Sequence, residues 1–263
     1  MASLLDPFGN ELDLSRPPRR IVSLVPSQTE LLCALGLDAE VAGITKFCIH
    51  PDAWFRSKTR VGGTKTVHLD RVRALQPDLV LANREENVRE QVEALAREFP
   101  TWVSDISTLE QALGTMTDIG RLTHREAESE VLACRVSAGF GSLRPLLENR
   151  PFAAYLIWKD PYMTVGSDTF IHDMLEHLGV QNMFAEKARY PEVNLGDLQG
   201  CEFLFLSSEP YPFAQKHIDE LQAELPHTRI LLVDGELFSW YGSRLLHTPP
   251  YFENLRRELG LWG

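Results

Sequence analysis

The stretch "RIVSLVPSQTELLCALG", residues 20–36, places an apolar run directly before a helical pattern. The run is typical of a buried strand, and the residues after Pro26 are typical of a helix. A strand that turns straight into a helix often binds a phosphate, but this turn lacks the glycines that let a pyrophosphate approach the backbone. The stretch therefore predicts an α/β unit without a nucleotide at this turn.

Ser27 and Glu30 have the S-x-x-E spacing of a capping box, in which the serine oxygen accepts a backbone N–H and the glutamate reaches back. We therefore expect Ser27 to cap the helix. The functional alternative is that this turn forms part of a cleft wall, because ligands of open α/β sheets bind beyond the carboxyl ends of the strands.

Two runs of alternating strand and helix patterns follow one another along the chain, and this rhythm predicts mostly parallel sheets. The first run covers about residues 20–120 and the second begins after Pro151. The predicted strands lie at 20–25, 41–45, 78–83, 101–106, 152–158, 202–208 and 229–235. The predicted helices of the second run lie near 168–179, 213–224 and 245–259.

Between the two runs, apolar residues recur at largely helical spacing, which predicts one long helix. The expected organisation is an N-terminal α/β lobe over 1–122, a joining helix over 123–150 and a C-terminal α/β lobe over 151–263. The fold class is therefore α/β, with two lobes and a ligand cleft between them. A helix is a stiffer spacer than a Gly/Ser linker, so we expect the lobes to keep a nearly fixed spacing.

Composition excludes several classes of partner. The chain of 263 residues has a formal net charge of −11, which argues against nucleic acid, because that binding depends on Lys and Arg. No apolar run has the length of a membrane span. The four cysteines make no CxxC pair and are expected to be reduced. The first 20 residues lack a signal-peptide pattern, so we expect a cytoplasmic protein from this sequence as written, and a periplasmic one if the native start differs.

Aromatic and charged residues gather after the predicted strands. Aromatic faces with a few charged groups suit a large, flat, partly apolar ligand such as a corrinoid, a tetrapyrrole or a metal chelate. Each of these aromatic residues is alternatively an ordinary core residue, and the arginine near the C-terminus either binds a ligand carboxylate or phosphate or is structural. The candidate ligand-binding residues are Ser27, Phe47, His50, Trp54, Arg84, Glu85, Trp158, Tyr162, Trp240, Tyr241 and Arg244.

A dedicated metal site is not expected. Cys48 and His50 in "KFCIHP" point the same way in an extended segment, but two ligands leave a tetrahedral site half built. Glu209 and His247 are possible completions that the sequence does not place nearby. His50 is then a cleft-wall residue or an axial ligand to a chelated metal.

Catalytic motifs are also missing. The sequence has no GxSxG elbow, P-loop or HExxH, and Glu85 and Glu86 are adjacent, so their carboxylates are not expected to face one site. We therefore expect no enzyme. The alternative is a cytosolic enzyme or a metal-ion-handling protein on the same fold, because scattered loops can also assemble a catalytic site.

The order and spacing of several segments resemble the helical-backbone class of substrate-binding proteins, which serve ABC importers of iron-siderophores, haem and cobalamin. The segments span nearly the whole chain and are "DPFGNELDLSRPPRRIVSLVPSQTELLCALG", "VAGIT", "HPDAW", "VGG", "LDRVRALQPDLVLA", "TVGSDTFIHDMLEHLGVQNMF", "YPEVNLGDL" and "WYGSRL". Family members are exported or lipid-anchored, and this sequence shows neither signal. Thr64 and Asn83 stand where cobalamin-binding members tend to have Trp, so the ligand stays open between a corrinoid and a ferric chelate.

The resemblance implies non-catalytic binding of that ligand, with no tightly bound cofactor, by a chain that we expect to be a monomer. It also implies an ABC permease as partner, which family members contact through one acidic residue on each lobe. Asp70 occupies the first of these positions, and Ser239 stands at the second.

Overall fold

The computed structural model describes residues 3–13, 15–144 and 148–261. The chain divides into two compact units, and each is built on a parallel sheet. Unit 1 comprises Met1–Ile106, Glu110–Ser137 and Tyr241–Arg244, and unit 2 comprises Ser107–Leu109, Ala138–Trp240 and Leu245–Gly263. The α/β class predicted from the sequence is therefore confirmed.

The first part of the chain supplies the elements of unit 1. Its strands are β1 (Ser3–Leu5), β2 (Glu11–Asp13), β3 (Ile21–Ser23), β4 (Val41–Ile44), β5 (Thr59–Arg60), β6 (Leu79–Asn83) and β7 (Thr101–Ser104). The helices are α1 (Pro26–Ala34), α2 (Asp52–Ser57), α3 (Leu69–Leu75), α4 (Arg89–Ala96), α5 (Leu109–Thr123) and α6 (Glu126–Gly141). The last two helices each contain residues of both units.

The sheet of unit 1 has the order β5-β4-β3-β6-β7, with every neighbouring pair parallel. Strands β3 and β6 are buried along their whole length, as expected of parallel strands covered on both faces. Strands β1 and β2 form a separate antiparallel hairpin. Asp6 ties this hairpin to the edge strand β7, because its carboxylate accepts a bond from Val103 N at 3.3 Å.

The helical pattern between the two α/β runs corresponds to the end of α5 and to α6. The helical conformation is interrupted between α5 and α6 at His124, whose φ is 54°. Helix α6 ends at Gly141, earlier than the predicted end at residue 150, and residues 145–147 lie outside the described part. One boundary between the units falls within α6, at 137/138, and the chain also crosses between them at 106/107, 109/110, 240/241 and 244/245. The predicted boundaries of lobes and joining helix stay a prediction.

Unit 2 has a four-stranded parallel sheet of order β10-β8-β12-β13 and an antiparallel pair, β9 with β11. Its strands are β8 (Phe152–Leu156), β9 (Tyr162–Met163), β10 (Gln181–Asn182), β11 (Glu192–Val193), β12 (Phe203–Ser207) and β13 (Arg229–Val233). Its helices are α7 (Phe170–Leu178), α8 (Gln215–Glu224), α9 (Glu236–Ser239) and α10 (Thr248–Leu259), with 3₁₀ turns at Leu195–Leu198 and Ser243–Leu246, the latter spanning residues of both units. Among the described residues, no helix is long and apolar enough to cross a membrane.

Candidate functional site

The strand order marks one favoured place for a ligand in each sheet. In unit 1 the chain runs outward from β3 to β4 and β5, then returns to β6 on the other side of β3. In unit 2 it runs from β8 to β10 and returns to β12 on the other side of β8. Ligands of open α/β sheets bind outside the carboxyl ends of the strands at such reversals. The loops after β3 and β6 are therefore the candidate site of unit 1, and the loops after β8 and β12 are the candidate site of unit 2.

Buried amides shape the loop after β6. The side-chain oxygen of Asn83 accepts a bond from Glu85 N at 2.8 Å, and its Nδ2 donates to Ser104 Oγ at 2.9 Å. Asn87 Oδ1 accepts from Asn83 N at 2.9 Å, and Gln28 Nε2 donates to the same Ser104 hydroxyl at 2.6 Å. This network fixes the backbone of the loop that carries Glu85, directly after β6.

The predicted capping box is wrong. Helix α1 begins at Pro26, its N-cap residue is Val25, and no side chain caps it. Ser27 is buried within the first turn. The carboxylate of Glu30 is held by Arg244, whose Nε and Nη2 donate to it at 2.9 and 2.8 Å. Glu30, which the local pattern assigned to the cap, is therefore bound by an arginine from the far end of the chain.

Three predicted residues that follow β4 differ in exposure. Phe47 is 50% exposed, and the ammonium of Lys46 lies 4.9 Å from the centre of its ring. Trp54 is buried on α2, with Lys58 Nζ 5.2 Å from its ring centre, and His50 is half-buried. Phe47 therefore presents an aromatic face, whereas Trp54 is the core residue of the alternative interpretation.

The thiol of Cys48 is structural. It is fully buried, with its sulfur 3.1 Å from Thr29 Oγ1 and 3.2 Å from Thr45 Oγ1. Burial raises the pKa of this thiol, and metal ions bind the thiolate rather than the thiol. Within residues 3–13, 15–144 and 148–261, no three His, Cys, Asp or Glu side chains are grouped to hold a metal ion.

Two charged candidates of unit 1 already have partners, and one aromatic candidate is buried. The Arg84 guanidinium donates to Asp105 at 2.7 Å and lines a cavity of about 460 Å³ with Phe8. Tyr241 is buried, and Arg244 forms the ion pair with Glu30. Arg84 is thus the candidate cation of unit 1 that reaches solvent, since more than half of its side chain is exposed.

Unit 2 presents an aromatic corner, which we define as Trp158 and Tyr211. Trp158 follows β8 and is 42% exposed, and its ring lies 5.6 Å from that of Tyr211 at 72°. Tyr211 N donates to Ile157 O at 3.4 Å, which joins the loops after β8 and β12. Tyr162 is half-buried, and burial raises the pKa of its hydroxyl. The aromatic corner therefore lies where the strand order of unit 2 reverses.

Trp240 is not an exposed wall residue, since only 7% of it is accessible. Its Nε1 donates to Glu209 Oε1 at 2.8 Å, and Ser239 Oγ donates to the same oxygen at 2.7 Å. Burial raises the pKa of Glu209, and these two hydrogen bonds act in the opposite direction. The indole therefore serves to hold a carboxyl group.

Sequence reasoning named neither Glu209 nor Tyr211 among the candidate ligand-binding residues, although it considered Glu209 as a possible metal ligand. Both follow the strand predicted at 202–208, in "SEPYPF". The rule that named candidates after other strands also applies to this one. The signal was therefore present in the sequence.

One family model, described as periplasmic binding protein, matches residues 21–201. Among curated proteins, the vitamin B12-binding protein of Pectobacterium carotovorum subsp. carotovorum is 25% identical over 238 residues, which cover 87% of this chain and 85% of that protein.

Solved structures share the fold. The periplasmic vitamin B12 binding protein BtuF of Vibrio cholerae superposes with a TM-score of 0.76 at 19% identity, over 94% of this chain and 99% of that one. A protein of an ABC-type Fe3+-hydroxamate transport system from Saccharomonospora viridis gives 0.74 at 20% identity, over 98% and 99%.

Proposed function

This chain belongs to the periplasmic binding protein family, and we propose that it captures a small metal chelate or corrinoid without changing it chemically. The observation that carries the proposal is the exposed ring of Trp158 at the reversal point of unit 2, in a member of this family. Aromatic faces at such a place bind flat, partly apolar ligands. The relative named for vitamin B12 favours a corrinoid, and the Fe3+-hydroxamate system favours a ferric chelate.

In this proposal the corrinoid or chelate is cargo rather than a resident cofactor. The protein acts as a monomer and delivers its cargo to an ABC permease, with Asp70 as the docking residue of unit 1. Asp70 lies in the first turn of α3, and its side chain is almost fully exposed, as a docking carboxylate requires. The cytoplasmic location, or a periplasmic one if the native start differs, stays a prediction.

Fluorescence titration tests the proposal. Cyanocobalamin, haemin, ferrichrome and ferrioxamine B are titrated into the wild-type chain, because a coloured ligand near an indole quenches its emission. Trp158→Ala should weaken binding of the ligand by about 1 to 2 kcal/mol, roughly five- to thirtyfold in Kd, since it removes an aromatic contact. Phe152→Ala is the matched control: Phe152 is 48% exposed at the opposite end of β8. It should bind as the wild type does.

The bound compound should be recovered unchanged after hours with the protein, as mass spectrometry would measure. A modified product would support the enzyme alternative. Absence of quenching by all four compounds would contradict the proposed ligand class and leave the fold unaffected.

A further inference from the structure

The carboxyl group of Glu209 is held in one orientation at the end of β12. Its Oε1 accepts two hydrogen bonds, from Ser239 Oγ at 2.7 Å and from Trp240 Nε1 at 2.8 Å. Both donors come from the segment that follows β13, and Trp240 is itself buried. A carboxyl group fixed through one oxygen presents its other oxygen in a defined direction.

The backbone around Glu209 is also fixed. Ser207 Oγ donates to Glu209 O at 2.5 Å and accepts a bond from the buried hydroxyl of Tyr155 at 3.0 Å. A Cβ atom added to Gly235 would lie 2.8 Å from Glu209 Cγ, so the chain after β13 passes directly against this side chain. Glu209 therefore has little freedom to turn away.

Its second oxygen, Oε2, accepts no hydrogen bond from any residue that the structure describes, and it keeps some solvent-accessible surface. The loop that carries Glu209 also carries Tyr211, two residues later in the aromatic corner. Glu209 thus combines an oriented acceptor with a neighbouring aromatic surface at the reversal point of unit 2.

We propose that Glu209 is a specificity residue of unit 2, whose Oε2 accepts a hydrogen bond from an N–H group of the ligand, and that this favours ligands bearing amide or ammonium groups over ligands bearing carboxylates. The inference rests on the proposed function, because it assigns a ligand class to the same site. It follows from the hydrogen bonding of the group: both donors occupy Oε1, so Oε2 is the oxygen left to accept from a ligand.

Neighbouring charges strengthen this selectivity. Asp234 and Glu236 flank Gly235, the residue that packs against Glu209, and both add negative charge beside it. Like charges brought together at a binding surface are unfavourable, so a ligand carboxylate is repelled there. A corrinoid with amide side chains, or a chelate with an ammonium group, meets no such repulsion.

The test exchanges the acceptor for a donor of the same size. In Glu209→Gln the amide oxygen still accepts from Ser239 and Trp240, while the amide N–H₂ group takes the place of Oε2. Calorimetric titrations use two probes with N–H donors, cyanocobalamin and ferrioxamine B, and two with carboxylates, haemin and ferric citrate. The amide N–H₂ group cannot accept where Oε2 did, so we expect Glu209→Gln to weaken the binding of a donor probe about tenfold and to leave the binding of carboxylate probes unchanged or tighter.

Glu224→Gln is the matched control, since it removes the same charge from an exposed position at the end of α8 in the same unit. Ser239→Ala supplies a second test through the loss of one orienting donor, and it should weaken the same probes to a smaller extent. This inference is wrong, and the proposed function stands, if Glu209→Gln and Glu224→Gln have the same Kd for every probe that the wild type binds. The same holds if the wild type binds haemin or ferric citrate more tightly than the probes with N–H donors. If the wild type binds none of these four probes and does not bind ferrichrome, both are wrong.

Discussion

At the scale of the residue, the Arg244–Glu30 pair joins positions 214 residues apart. The guanidinium binds the carboxylate through two parallel hydrogen bonds, and the two side chains are only 15% and 22% exposed. Both residues belong to unit 1, to which the short segment Tyr241–Arg244 contributes. From the sequence, Arg244 could equally bind a ligand or be structural. In the structure its guanidinium forms an ion pair with Glu30 inside unit 1.

We predict that Arg244→Lys lowers the free energy of unfolding by about 1 kcal/mol, because an ammonium cannot reproduce the paired hydrogen bonds. Arg244→Ala should lower it by about 2 to 3 kcal/mol, since the Glu30 carboxylate is then left half-buried without its partner. Urea denaturation measures both values, and Glu30→Gln completes the double-mutant cycle. The affinity of Arg244→Lys for its ligand should equal that of the wild type. Weaker binding at unchanged stability would instead identify Arg244 as a ligand-binding residue.

At the scale of the element, helices α5 and α6 approach closely at one glycine. A Cβ atom on Gly120 would lie 1.9 Å from Ser129 Oγ and 2.5 Å from Ser129 Cβ, which is closer than atoms can approach. Both positions are buried in unit 1. The packing of these two helices therefore depends on the absence of a side chain at Gly120.

Gly120→Ala should lower the free energy of unfolding by about 1 to 3 kcal/mol, the usual range for overpacking a buried contact. Gly114→Ala is the matched control in the same helix, because a Cβ there meets no atom within 4 Å. It should stabilise the protein by up to about 1 kcal/mol through helix propensity. Thermal melting of the two variants measures the difference, and equal shifts for both would contradict the close approach.

Elements were predicted where the sequence pattern is itself the physical cause. Strands β3, β6, β8 and β12 lie in parallel sheets, where burial on both faces requires continuous apolar runs. The hairpin β1–β2 was not predicted, because each strand has three residues and buries only one of them. No periodicity can be recognised over that length, and the bond from Val103 to Asp6 spans 97 residues.

The candidate site follows the same division. Tyr162 was named from its place after a predicted strand and Trp158 from its place at the end of that strand, a rule that depends only on local order along the chain. The sequence left open whether Trp240 is a wall or a core residue, and its hydrogen bond to Glu209 was not foreseen, because that partner lies 31 residues away. Side chains whose position is decided by a distant partner cannot be placed from local spacing alone.

At the scale of the whole molecule, the net charge of −11 means that many carboxylates could contact a basic partner, so a docking surface is defined by the particular carboxylates that it contains. Electrostatic complementarity then sets the association rate and the specificity more than the affinity. Asp70 forms an exposed pair with Arg73 at 2.8 Å, and Asp52 forms a similar pair with Arg56 at 2.9 Å on α2. Exposed pairs of this kind contribute little to stability, so both aspartates can be replaced without unfolding the chain.

The assay uses proteoliposomes with an ABC permease whose ATP hydrolysis is stimulated by the ligand-loaded wild type. Asp70→Lys should abolish that stimulation. Asp52→Lys changes the net charge by the same amount and should stimulate as the wild type does, because only Asp70 is proposed to meet basic residues of the permease. The defect of Asp70→Lys should appear as a slower association that depends on ionic strength, since salt screens charges on exposed surfaces. Equal loss in both variants would mean that overall charge rather than Asp70 governs docking. Full stimulation by Asp70→Lys would show that the permease contacts another part of the surface.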